Sequence, residues 1–534
     1  MKRGHSIQKL LHDVGNAMGK CRQCKVQGYT DEDISKGLLL WKLGGRACVR
    51  VGQELGLPSI TRMYKHDLMK APGFIMSPGD YCHWSWILEL NMGRQFFRKE
   101  TTLPKALYNI QADNTATTKD CRMHPKYGWI LGMCNMHGPH AVPTSCEAPT
   151  TMTANVNVGG FNNQVAMPAG PGDDQFGHFP PNTAVEVKNE NRGHDVKQAA
   201  DEVKANIRHK AHEACIIGIA RMGSEDYGVK PVHGHGTCTK DETAPHMVRI
   251  ISNIVDQWYT DPNGFETRGP MNNFSSDGCA MFVLAGTTLE HIVLSQALAA
   301  NTILAALFVL LGVLTLFDLS VGDHGMVFVC DAKHAFKRFR TRLKSLGKSM
   351  RVNEQVLSLV SIRDLLLHGG GIGIKKLNRM FDPSDEQNVP FMVECFKTMG
   401  QFEDSNYDDY SFPAHAPNEN ARRELIYEFK ILCAICQCLF YYLSNGKGSI
   451  EEHLINLSKL SHLLFVVFRK SAGNFMAPQN YHNIQSVIKG MYKSVATCKY
   501  YGINCYFLFQ DNDDRLENLF RDLRALGGGG WRWS

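Results

Sequence analysis

Apolar and polar residues alternate along this chain in two different rhythms. As far as position 341 the apolar runs are mostly short, and several stop at an acidic residue. Tyr108, Ile110 and Ala112 alternate with Leu107, Asn109 and Gln111, the period of a strand, and the run ends at Asp113. Further strands are predicted over 127–133, 214–220, a short stretch within 269–278 that stops at Asp277, and 326–330, which stops at Asp331. Helical spacing appears over 196–212 and 244–258. From 342 to 510 the pattern is helical throughout, strongest over 353–367, 388–399, 422–442, 450–469 and 481–498. A last helix follows Asp513, with Leu516, Leu519, Phe520 and Leu523 as its apolar stripe. Asp514 and Glu517, three apart, point the same way on it.

These patterns divide the chain. Residues 1–100 form a helical N-terminal region, and 101–137 carry the first strands of an α/β core. Residues 138–193, rich in Pro, Gly, Asn and Thr, read as a flexible loop. The rest of the core occupies 194–341, a helical insertion 342–510, a catalytic-helix segment 511–526 and a disordered tail 527–534. Within 31–66, apolar runs broken at Gly44-Gly45 and Gly56 suit a helix-turn-helix, with Arg46, Arg50, Arg62 and Lys65 available to phosphate. A small helical packing module explains the same pattern. The uncharged stretch 298–317 has the length of a bilayer span. It has no basic flank and no second span beside it, so a place in the core, without a membrane, is the expectation.

Charge and cysteines narrow the picture a little. The net charge of +6 permits nucleic-acid binding without requiring it. The 17 cysteines are scattered, as in a reduced cytosolic or nuclear protein. Cys21 and Cys24 lack a second pair nearby. Cys134, His137, His233, His235 and Cys238 are zinc-ligand types, but their spacing matches no simple finger, so zinc is not expected. The glycine run 369–373 before Lys375-Lys376 lacks the phosphate-loop pattern. Directly after Asp331, the basic residues Lys333, His334, Lys337, Arg338 and Arg340 suit a phosphate-facing helix start, although a solvated basic face is the commoner reason for such a run.

Acids at three strand ends (113, 277 and 331) and two on a late helix (514 and 517) are what a two-metal phosphodiester site requires. An Asp-x-x-Glu alone is common on solvated helices. Its weight comes from the other acids.

The segments LLLWKLGGRACVRVGQELGLPS, YNIQAD with GWILGMCNMHG, DYGVKPVHGHGTCTKDET, GPMNNFSSDG, VCDAKHAFKRFRTRL and DRLENLFRDLR, in that order, resemble the P-element-type DD(E/D) transposases. The resemblance is strongest to the transposase-like proteins of mushroom-forming fungi. It implies an RNase H-like mixed sheet flanked by helices, interrupted by the long loop and the large all-helical insertion. It further implies Asp113, Asp277 and Glu517 as catalytic residues holding two Mg²⁺ or Mn²⁺ ions, with Asp514 assisting and Asp331 and His334 at the site edge. DNA would be the substrate, cleaved and joined by strand transfer. Lys333, Lys337 and Arg338 would lie near its phosphates. A homo-oligomer and a nuclear address follow by analogy, with the cytoplasm as the alternative. In the P element the inserted region binds GTP; no nucleotide pocket is recognisable in this sequence. Asn114 stands where the family has Glu, and Cys134-Asn135-Met136-His137 where it has C-R-E-H. This sequence carries no zinc finger like that of animal relatives, and relatives continue beyond the position matching Glu517. These departures leave a second expectation open, a domesticated non-catalytic DNA-binding or interaction protein that keeps the fold.

Overall fold

The computed structural model describes 84–97, 101–116, 209–238, 243–296, 302–345, 349–368, 372–382, 388–402, 418–444, 448–504 and 506–526, with isolated positions and short stretches elsewhere. Arg46, Arg62, Lys65, the Cys21–Cys24 pair, His137, the loop 138–193 and the tail 527–534 lie outside the described residues. Arg50 is described, and it is exposed and helical.

The centre is a five-stranded sheet. Its strands are β1 (Tyr108–Ala116), β2 (Glu213–Arg221), β3 (Val229–Thr237), β4 (Met271–Ser276) and β5 (Val327–Cys330), in the spatial order β3-β2-β1-β4-β5. The pairs β3–β2 and β2–β1 are antiparallel, whereas β1–β4 and β4–β5 are parallel. Asp113 therefore lies within β1, three residues before its end, where the sequence pattern had the strand stopping.

Alternation along the strands gives the sheet two unlike faces. Tyr108, Ile110, Phe274 and Phe328 point to one side and join the main hydrophobic core. Helix α1 (Trp84–Met92), α2 (Ala244–Thr260) and α3 (Ala280–Leu289) supply much of that core, through Leu88, Met92, Ile251 and Phe282 among others. Trp258 of α2 is fully buried between Phe96 and Tyr108, and its indole N–H donates to the Gly269 carbonyl at 2.9 Å. Trp258→Ala is expected to cost about 3–5 kcal/mol through the cavity and the orphaned carbonyl. A shifted urea midpoint at unchanged slope would check it.

The opposite face carries Asn109, Gln111, Asn273 and Ser275, all fully buried. Two late helices cover it. One is α11 (Pro478–Tyr501), and the other is α12 (Asp514–Leu526). Contact with α11 is close at Gly490, where an added Cβ would lie 2.3 Å from Val329. Leu516 and Phe520 of α12 pack on Ala214, Ile216 and Val229 of the antiparallel strands. The apolar stripe of the sequence thus fixes α12 against β2 and β3.

Between β4 and β5 the 298–317 stretch folds into α4 (Thr302–Leu311), about 15 Å long, half the thickness of a bilayer core. Ile303, Leu304, Leu307 and Leu311 are buried, whereas Val309, Val313 and Leu316 are exposed. The chain turns at Gly312, so the uncharged run is not a single spanning helix.

After β5 comes α5 (Ala332–Leu343), then α6 (Leu359–His368), α7 (Ile374–Met380), α8 (Val389–Gly400), α9 (Glu419–Ser444) and α10 (Ile450–Lys470) before α11. Among the described residues, α9 alone is long and apolar enough to cross a bilayer, and half of its most apolar window is buried inside the protein. Two helix expectations are corrected here: in the 196–212 stretch the described helix covers only 201–204, and Lys210 forms an antiparallel bridge with Met133. Residues 353–357 do not open a helix. Met350–Val352 and Gln355–Leu357 form a hairpin, and Asn353 takes a positive φ of 49° at its turn, a conformation Asn tolerates.

Candidate active site

Register brings the strand-end acids level with one another. Ala112 of β1 pairs with Ser276 of β4, so Asp113 and Asp277 follow side by side. Ser276 also pairs with Cys330, so Asp277 and Asp331 are neighbours in turn. Asp277 leaves its strand through a tight turn, accepting from the Cys279 N–H at 2.9 Å. Gly278 makes the turn at φ +73°, where a Cβ would meet Cys330 Sγ at 2.6 Å. Its carbonyl accepts from Arg338 Nη1 at 2.9 Å and Gln479 Nε2 at 3.0 Å.

Asp331 is the N-cap of α5 and accepts from the His334 N–H at 3.1 Å. This cap brings Lys333 and His334 up to α12. Lys333 Nζ donates to both carboxylate oxygens of Asp514. His334 Nε2 lies 3.3 Å from Glu517 Oε1 and 3.8 Å from Asp331 Oδ2. Asp514 and Glu517 thus do share a face, and α5 answers both with bases. Two of the basic residues expected near phosphate therefore have partners inside the protein, Lys333 at Asp514 and Arg338 at Gly278. Arg340 is buried and donates to the Met380 carbonyl at 2.9 Å.

The start of α12 is bolted to the sheet by a polar run that sequence reasoning left without a role. Asp511 is buried and accepts from Asn109 Nδ2 at 3.0 Å, Asn273 Nδ2 at 2.8 Å, Ser494 Oγ at 3.2 Å and the Tyr506 hydroxyl. Gln111 Nε2 donates to the Asn512 carbonyl at 2.5 Å. Gln510 exchanges two hydrogen bonds with the Gly223 backbone, at 2.7 and 3.1 Å. A signal for this existed. Asn109, Gln111 and Asp113 recur at every second position of a strand whose other face is apolar, so the polar face needed a polar cover.

The carboxylates act strongly on one another. Burial, then Asp277, pushes Asp113 up to about 7, against the opposing hydrogen bond from the Asn114 N–H. Burial likewise raises Asp331. Burial would lower His334, but its hydrogen bond to Glu517 and the charge of Asp331 outweigh that and hold it above its ordinary value. Glu517 is held low, chiefly by the same hydrogen bond. Asp113, Asp277 and Glu517, remote in sequence, are thereby within electrostatic reach of one another. Even so, among the described residues no three His, Cys, Asp or Glu side chains stand close enough to enclose an ion.

Asp113 gives a pH dependence of known sign. Its native value of about 7 exceeds the ordinary 3.8, so the folded protein keeps a proton that the unfolded chain has released. That contribution to stability is complete below about pH 4 and is lost as pH rises through about 7. In EDTA, Asp113→Asn should match the parent near pH 4 and exceed it by about 4 kcal/mol above pH 7. Urea unfolding across that range reads the difference, and a pH-independent gap would contradict the assignment.

Of the zinc-ligand residue types noted in the sequence, His137 lies outside the described residues. His233 and His235 lie on β3 with ring nitrogens 3.0 Å apart, and Cys238 Sγ is 3.5 Å from His209 Nδ1. Cys134 meets His209 through the backbone, its N–H donating to the His209 carbonyl at 2.9 Å.

Strand order, mixed pairing, flanking helices and the level acids define a transposase-like fold. The solved structure of the Drosophila P element transposase strand transfer complex is similar over 97% of this chain and 90% of that chain, with a TM-score of 0.50 and 12% identity. At that identity the likeness shows the fold alone. No family model and no curated protein sequence matches the chain.

Proposed function

We propose that this protein is a transposase-like DNA phosphodiesterase and strand transferase that uses divalent cations. The observation carrying this reading is the level placement of Asp113 and Asp277 on neighbouring parallel strands, opposite Glu517 on α12. The donors fit Mg²⁺ or Mn²⁺, because they are carboxylate oxygens, hard ligands, and burial followed by the Asp277 charge pushes Asp113 up to about 7. Two such ions, held by Asp113, Asp277 and Glu517, would activate the attacking oxygen and stabilise the leaving one. The protein's own groups do the positioning. His334 holds the Glu517 carboxylate, Lys333 with Asp514 fixes the first turn of α12, and Asp331 fixes α5 beneath both. Arg50 and Lys337 are candidates for DNA phosphate contact. The likeness to a transposase strand transfer complex supports DNA as the partner; a homo-oligomer acting in the nucleus is part of the proposal.

One observation favours a second reading, a non-catalytic protein that keeps this fold. Among the described residues, no three donors are in coordinating range as they stand. Facing carboxylates repel without a counter-ion, so under the first reading cations would draw them together. The test is nicking and joining of duplex DNA by the full chain in Mg²⁺ or Mn²⁺, against EDTA. Cation-dependent product supports catalysis, and its absence with both metals supports the second reading.

A further inference from the structure

The N-cap of α12 holds a carboxylate that the three-acid arrangement leaves unused. Asp513 is 0% exposed, and neither of its carboxylate oxygens has a hydrogen-bond partner. An N-cap Asp normally accepts from a backbone N–H of the first turn. Here the Leu516 N–H donates to the Asp513 carbonyl at 2.8 Å rather than to its side chain, beside the ordinary first helical bond from the Glu517 N–H at 3.1 Å. The side chain is left facing other acids, and the charges acting on it are those of Asp331, Asp113, Glu517 and Asp277.

Two more oxygens nearby lack donors. Gln111 and Ser275 are register partners on β1 and β4, one step below the Asp113 level. Gln111 spends its N–H on the Asn512 carbonyl, next to Asp513, and its Oε1 is buried without a partner. Ser275 Oγ is buried and unpartnered as well. A buried charge among like charges, with no donor, is strongly unfavourable. A set made only of oxygens is what a hard divalent cation accepts.

We propose that Asp513 is a fourth carboxylate ligand of the divalent-cation site, reaching it from the buried side, with the oxygens of Gln111 and Ser275 lining the same recess. This rests on the cation-binding reading of Asp113, Asp277 and Glu517 and extends it. Asp513 then joins the metal to the turn that Asp511 anchors, so cation binding and the seating of α12 are one event.

The test is Mn²⁺ titration of the full chain by electron paramagnetic resonance, with melting temperatures in EDTA and in excess Mn²⁺. Parent, Asp513→Asn and Asp277→Asn are compared. Asp513→Asn should melt at or above the parent in EDTA, because it removes an uncompensated charge. Its Mn²⁺ affinity should fall at least about tenfold, and the Mn²⁺-induced rise in melting temperature should shrink. Equal Mn²⁺ affinity in Asp513→Asn and parent, with loss in Asp277→Asn, overturns the fourth ligand and leaves the three-acid reading standing. Failure of the parent to bind Mn²⁺ overturns both. Should Asp513→Asn not fold, Asp513→Ser, an uncharged cap residue, is read in the same two ways.

Discussion

Asp277→Asn is expected to abolish cation-dependent DNA cleavage while the protein stays folded. Asn preserves the size of the side chain and one oxygen, so the bond from the Cys279 N–H at 2.9 Å can persist and the Gly278 turn can form. What disappears is the negative charge. A carboxylate shared between cations contributes several kcal/mol of transition-state stabilisation, and a loss of about 4 kcal/mol is roughly a 10³-fold fall in rate. Stability should move little, or upward, since one of the charges raising Asp113 is removed. Residual cleavage in the variant equal to the parent's would assign the activity elsewhere. The variant also separates the two functional readings, because a non-catalytic protein has no rate to lose.

Asp511→Ala is expected to produce the largest loss of stability near the site. Its carboxylate receives Asn109, Asn273, Ser494 and Tyr506 together, joining the turn before α12 to β1, β4 and α11. Truncation removes the shared acceptor of all four donors; Asn109, Asn273 and Ser494 each keep one other acceptor, at the Gln510 carbonyl, Ser494 Oγ and the Gly490 carbonyl, and the buried cluster loses its only charge. Breaking a buried charged network in this way costs about 3–5 kcal/mol. Asp511→Asn, which keeps one acceptor oxygen, should lose less. Urea unfolding with an unchanged slope reads the difference. Because the anchor seats α12, Asp511→Ala should also weaken Mn²⁺ binding although Asp511 is not itself a proposed ligand. A cost under about 1 kcal/mol would mean the turn is held by Gln510 and Gln111 instead.

The parts of this fold that local periodicity determines were legible from the sequence. Four of the five core strands showed as short runs, three of them ending at or near an acid, and the Leu516–Phe520 stripe marked the helix that carries Glu517; β3 carried no strand expectation, and of the strand expected at 127–133 the described Ile130–Leu131 pairs outside the central sheet. What was not legible depends on pairing between distant segments. Nothing local says that β1 takes β2 on one edge antiparallel and β4 on the other parallel, yet that choice sets Asp113 beside Asp277. The polar run 510–513 fell at the boundary between the helical insertion and the last helix segment and was given no structural role, because polar residues in sequence usually face water. Its burial follows from an equally polar sheet face waiting across the fold. The hairpin at 350–357 was read as helix because a two-residue turn at Asn353-Glu354 leaves too short an apolar pattern to separate strand from helix. The uncharged run 298–317 was limited in the same way, since Gly312 breaks it only in three dimensions.

The most direct measurement is an anomalous-difference map from crystals of the full chain soaked in Mn²⁺. The account expects density coordinated by Asp113, Asp277 and Glu517 oxygens at about 2.1 Å, with the carboxylates drawn inward. A map in which these three side chains stay uncoordinated, while manganese binds elsewhere or not at all, would contradict it.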